Sequence, residues 1–172
     1  MIRRILDMAV FGYFALIIVL ILLLGFRWHT HRKAPEQPIN YSHALHVGKL
    51  NLECTFCHET ADKSAFAGIP SVEKCMSCHS GVKTDTPEIQ KLTKYWNDKE
   101  PVPWNRVHRI RIRNHVYFSH KRHIKAGVQC EHCHGQLAAM AQVRQVKSFK
   151  MGFCVSCHQA NNAPTDCLIC HM

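Results

Sequence analysis

An uncharged apolar run from Met8 to Phe26 dominates the hydrophobic pattern of the chain. Its 19 residues suffice for one helix to cross a bilayer. Arg3 and Arg4 precede it, and Arg27, Trp28, Arg32 and Lys33 follow, the charged and aromatic flanks of a membrane span. The run closes on Gly25-Phe26-Arg27-Trp28 without an Ala-x-Ala-like cleavage site, so an uncleaved anchor is expected rather than a signal peptide. Beyond it the pattern thins. Ala34 to Pro38 (APEQP) reads as a short extended linker. Ile89, Leu92 and Trp96 recur at helical spacing behind Thr86, a candidate cap, and Pro87, which suits a first turn. Glu100-Pro101-Val102-Pro103-Trp104 ends that helix. Arg106 to Arg113 alternates, so as a strand it sets His108, Ile110 and Ile112 on one face and Arg109, Arg111 and Arg113 on the other.

No other stretch holds a long period, which predicts short helices and irregular loops with almost no sheet. The division expected is an anchor with its flanks over 1–33 and one outer domain over 34–172.

Cysteine changes the picture. All ten cysteines among 172 residues fall in five Cys-x-x-Cys-His motifs: Cys54, Cys57 and His58; Cys75, Cys78 and His79; Cys130, Cys133 and His134; Cys154, Cys157 and His158; Cys167, Cys170 and His171. None is left over for a disulfide. Two cysteines one helical turn apart reach the two vinyl groups of one porphyrin, and the following histidine falls beneath the iron as proximal ligand. Zinc is the competing chemistry for paired Cys-x-x-Cys units. Five motifs, each followed at once by His, favour five covalently bound haem c groups. Their porphyrins would supply the buried apolar surface that so loop-rich a chain lacks. The expected fold is therefore mostly irregular, with short α-helices around stacked c-type haems and one N-terminal transmembrane helix.

Five of the 14 histidines are proximal, which leaves nine. An internal repeat sorts them. Tyr41-Ser42-His43-Ala44-Leu45-His46 precedes the first two motifs, and Phe118-Ser119-His120-Lys121-Arg122-His123 precedes the third and fourth. The units run over about 41–79 and 118–158, with the fifth motif at 167–171. Histidines at i and i+3 lie near one helix face yet diverge enough to serve two haems. His43, His46, His120 and His123 are thus distal-ligand candidates, His108 is the fifth, and Met151 and Met140 are reserves. His29, His31, His115 and His132 have no ligand role. With five distal candidates for five haems, no open sixth position for catalysis is required.

The formal charge of +10 raises the question of nucleic acid. Ten haem propionates would bring it back by roughly 10 units, and no basic stretch is interleaved with stacking aromatics. No nucleic-acid partner is expected.

The aromatic-Ser-His-x-x-His units followed by Cys-x-x-Cys-His resemble class III multihaem cytochromes. The chain is more specifically similar to the pentahaem subunit of bacterial alternative complex III. Tyr41 to His58, Ser64 to Ser71 (SAFAGIPS), Arg106 to Arg109, Val116 to His123 and Lys150 to Cys154 carry that resemblance. It implies an electron-transfer subunit, not catalytic alone, in a quinol-oxidising complex. Its implied partners are a polytopic quinol-binding membrane subunit, an iron–sulfur subunit, and a monohaem cytochrome or other periplasmic acceptor. A free-standing membrane-anchored quinol dehydrogenase is the alternative. Thioether attachment to Cys-x-x-Cys-His takes place outside the bacterial cytoplasmic membrane. The expected placement is single-pass in that membrane, with the haem domain periplasmic.

Overall fold

The computed structural model describes residues 2–110 and 115–171, with the side chains of residues 30–33 outside that description. Helix α1, Ile2–Lys33, contains the apolar run. Its 32 residues span about 48 Å, more than the roughly 30 Å hydrocarbon core of a bilayer. Apolar side chains stand exposed all round it, Phe11 and Leu24 among them. A helix whose exposed surface is apolar all round suits lipid. It is long and apolar enough to cross a membrane, at the end of the chain where an anchor or a signal segment stands.

The remaining elements are short: a π-helical turn Ala44–Lys49, α2 Cys54–Cys57, α3 Val72–His79, α4 Pro87–Asp98, α5 His120–Lys125, α6 Cys130–His134, a 3-10 turn Leu137–Ala139, α7 Met151–Ala160 and α8 Cys167–Cys170. Each Cys-x-x-Cys pair sits on a helical turn, and among the described residues there is no strand. The expected fold, helical and irregular, is the one observed. The alternating stretch departs from its reading. Arg106 to Ile110 is irregular with a bend at His108, and Arg111, Ile112 and Arg113 lie outside the described residues.

Helix α4 forms where the apolar spacing places it, with two corrections. Thr86 does not cap it, because its hydroxyl donates to the Lys83 carbonyl at 2.9 Å. Trp96 is 45% exposed, while Tyr95 packs inward with Ile89. A shift of one residue along the helix turns the apolar stripe by about 100°. The stripe meets Ile39, Met76, Leu92 and Val102, the one small side-chain core among the described residues. Met76 belongs to the second Cys-x-x-Cys-His motif, so this core seats that site.

The linker is sewn to the same core. The Asn40 amide donates to Glu88 at 2.6 Å, and Gln37 exchanges 2.9 Å bonds with the backbone of Asn105.

Candidate haem-binding sites

The chemistry is set first by the state of the thiols and imidazoles. None of the ten cysteines is paired in a disulfide. Burial pushes the Cys57, Cys75, Cys130, Cys133 and Cys154 thiols up. Among the described residues, no group of three or more His, Cys, Asp or Glu side chains is arranged to hold a bare metal ion.

The histidines are held in a different way. At His58, His79, His158 and His171 the Nδ1 atom lies 2.6–3.0 Å from the backbone carbonyls of Gly68, Val82, Pro164 and His115. Three of the upstream histidines repeat the pattern: His46 with the Ser42 carbonyl at 2.9 Å, His120 with Ala65 at 3.0 Å and His123 with Ser119 at 2.8 Å. A carbonyl only accepts, so Nδ1 carries the proton and Nε2 keeps its lone pair. This is how metal-ligating imidazoles are oriented and made more basic.

Ring separations carry the argument further. Two imidazoles on opposite sides of one metal ion, each bonded at about 2 Å, have centroids roughly 6.3 Å apart. His46 and His79 stand 6.1 Å apart, His120 and His134 6.3 Å, and His123 and His158 6.0 Å. Each pair joins an upstream histidine to one that follows a Cys-x-x-Cys. His43 is half-buried, its Nδ1 is enclosed without a hydrogen-bond partner, and His58 is the first of the histidines acting on it. Burial, followed by neighbouring histidines, lowers its pKa to about 4, which keeps it neutral and able to ligate. The residues present fit haem.

The aromatic residue of each unit also acquires a role that the repeat alone did not supply. Tyr41 stacks on His46 at 4.4 Å and meets His43 edge-on at 4.9 Å. Phe118 does the same to His123 at 4.5 Å and to His120 at 4.9 Å. One ring thereby fixes two imidazoles.

The Ser64 to Ser71 stretch contains no ligand, yet it orients two of the histidines. The Ala65 carbonyl takes His120 Nδ1, the Gly68 carbonyl takes His58 Nδ1, and Ser71 caps α3 through the Lys74 amide. Gly68 has φ +73°, which lets it turn that carbonyl without the strain a side chain would suffer. The stretch lines a cleft of about 500 Å³ between the first and second motifs.

His108 lies beside the third site. Its ring is 4.3 Å from His134 at 85°, with Phe149 at 6.1 Å, and its Nε2 is buried without a hydrogen-bond partner. Met140 packs its methyl group towards Gly135, and Met151 is 65% exposed at the start of α7. Among the described residues no imidazole ring stands opposite His171 at the separation seen in the other pairs. His132 approaches Cys157, with Nε2 3.8 Å from Sγ.

Helical turns carrying Cys-x-x-Cys-His, with four of the five motif histidines tied back through Nδ1 and three of the five faced by a second imidazole, have the geometry of a multihaem c-type cytochrome, a protein of electron transfer. Comparison with known proteins agrees. Residues 116–172 match the family of cytochrome c7 and related cytochrome c. The chain is also 29% identical over 163 residues to the menaquinone reductase multihaem cytochrome c subunit of Nitratidesulfovibrio vulgaris, covering 79% of this chain and 77% of that protein.

Proposed function

We propose that this chain binds five haem c groups and conducts electrons from a quinol-oxidising membrane complex of the alternative complex III type to a periplasmic acceptor. The observation that carries the reading is the set of three histidine pairs at 6.0–6.3 Å, each uniting one repeat histidine with one motif histidine. The pairing extends to His43 with His58 through the equivalence of the two units.

Bound haem supplies a reversible one-electron couple at each site. The chain's residues do the rest. The ten cysteines would hold the groups through thioethers, the carbonyls of Gly68, Val82, Pro164 and His115 aim four of the motif imidazoles, and His43, His46, His120 and His123 would supply the second imidazoles. For the fifth distal position we assign His108, whose buried, unpartnered Nε2 is in the state of a ligating nitrogen. At 4.3 Å from His134 it leaves no room for a porphyrin between those two rings, so the third site is not the one it serves. Helix α1 anchors the domain in the cytoplasmic membrane. A polytopic quinol-binding subunit and an iron–sulfur subunit are its partners, with a monohaem cytochrome or similar carrier as acceptor.

A second reading, delivery of electrons to a quinone, is favoured by the name of the relative, a menaquinone reductase subunit. One experiment tests both. Membranes solubilised mildly are run on a native gel, stained for haem, and the band is identified by mass spectrometry. A large band holding a polytopic subunit and an iron–sulfur protein is expected, and a band holding this chain alone would refute the complex. Haem reduction in that band by added quinol supports the first direction. Haem oxidation by added quinone supports the second.

A further inference from the structure

The contacts between the attachment sites do not simply follow their order along the chain. Between the first and second sites, Lys74 Nζ lies 2.5 Å from Glu59 and 4.5 Å over the Phe56 ring. Those residues flank or lie within the first motif, and Lys74 directly precedes the second. His43 and His46, on one turn, face these same two sites.

Among the described residues the second site has no such tie to the third. The first does. The Ala65 carbonyl, just after the first motif, holds His120 through both its amide at 3.1 Å and its Nδ1 at 3.0 Å, and the Ser64 carbonyl takes the Lys121 amide at 3.0 Å. Reciprocally, the Ala44 amide of the first His-x-x-His turn donates to the Met140 carbonyl, just after the third motif, at 2.9 Å. Each half thus grips the other at the equivalent place, as two copies related by an approximate twofold axis would.

The third and fourth sites share the His120 and His123 turn and the approach of His132 to Cys157. The fourth passes to the fifth through His158 and the Pro164 carbonyl, three residues ahead of Cys167.

We infer that the five attachment sites stand in one row in the order second, first, third, fourth, fifth, with the second site beside the membrane linker. Ile39, directly after the linker, packs in the core with Met76 of the second motif, which fixes that end. The inference rests on the five-haem reading and adds the neighbours of each site. In this order the second and fifth sites are terminal, and the first is internal. Order along the chain would make the first terminal and the second internal.

Electron paramagnetic resonance of the purified, haem-loaded full chain separates the two. Methionine at a distal position raises the potential of its own haem. Poised between that potential and the rest, this haem is ferrous and diamagnetic, and ferric neighbours lose their magnetic coupling to it. His46→Met is expected to release one neighbouring signal and His43→Met two. The reverse counts would overturn the order. Covalent attachment leaves the haem load readable by intact mass in every variant. His123→Met, in the other half, is expected to release two signals, and release of one would also overturn it. Fewer than five haems on the unmutated protein overturns the five-haem reading and this inference with it. Five haems with reversed counts overturns the order alone.

Discussion

The two halves of the outer domain reach the same histidine geometry by different physical means. Residues 34–105 bury Ile39, Met76, Leu92 and Val102 around α4, an element with no counterpart in the other half. Among the described residues of 116–171, only Ser119 is buried, and no apolar side chain is. Leu168, inside the fifth motif, is 86% exposed. A half with its own apolar core holds its shape by burial of side chains. A half without one relies on the porphyrin faces for the same driving force. The repeat therefore conserves ligand geometry while its sources of stability diverge.

That contrast breaks most visibly if haem is withheld. In cells lacking thioether attachment, limited proteolysis is expected to cut residues 116–172 well before the segment around α4. Equal cleavage of both halves would erase the difference. Next in size is Leu92→Ala in the loaded protein, expected to cost about 2–5 kcal/mol for a buried leucine. Hydrogen exchange should rise around α3 and α4 and stay unchanged in α7.

Acid sharpens the comparison at the seam. Burial lowers His43 and His108 to about 4 from 6.5. Between those values the unfolded chain takes up protons that the folded chain refuses, so stability falls as pH drops through 6.5 towards 4. Thermal melts across that window are expected to show a progressive fall in Tm. A flat profile would contradict neutral burial. Gly48→Ala comes next, because its Cβ would collide with the Ala138 carbonyl oxygen. Overpacking of this kind costs about 1–3 kcal/mol, and chemical denaturation should register it. The smallest effect is Ser71→Ala, which removes the α3 cap and costs about 1 kcal/mol. It should perturb the second site's spectrum without touching the fourth.

Much of this was legible from residue types alone. Cys-x-x-Cys-His at five places and His-x-x-His at two require only spacing, and the apolar run of α1 requires only length. The ring pairs follow once each turn is known to face its own two motifs. What spacing could not convey is the work done by backbone carbonyls. Ala65 and Gly68 orient imidazoles through atoms every residue possesses, so their side chains carry no signal of it. The recurrence of Ser64 to Ser71 was a sign without a mechanism until those bonds were seen. His108 misled as a strand residue because alternation over eight positions reads the same whether or not a partner strand exists. Tyr95 and Trp96 differ by one helical step, and only the placement of Val102 and Trp104 decides which turns inward.

The reciprocal grip between the halves also imposes a schedule on the chain's maturation. The Ala65 carbonyl is synthesised 55 positions ahead of the histidine it holds, and Ala44 emerges long before Met140. On the proposed placement, a chain delivered outward from its N-terminus would present its first two motifs for haem attachment while their clasps are still empty. Those sites stay open to modification until the second half arrives, and its docking is the event that closes them.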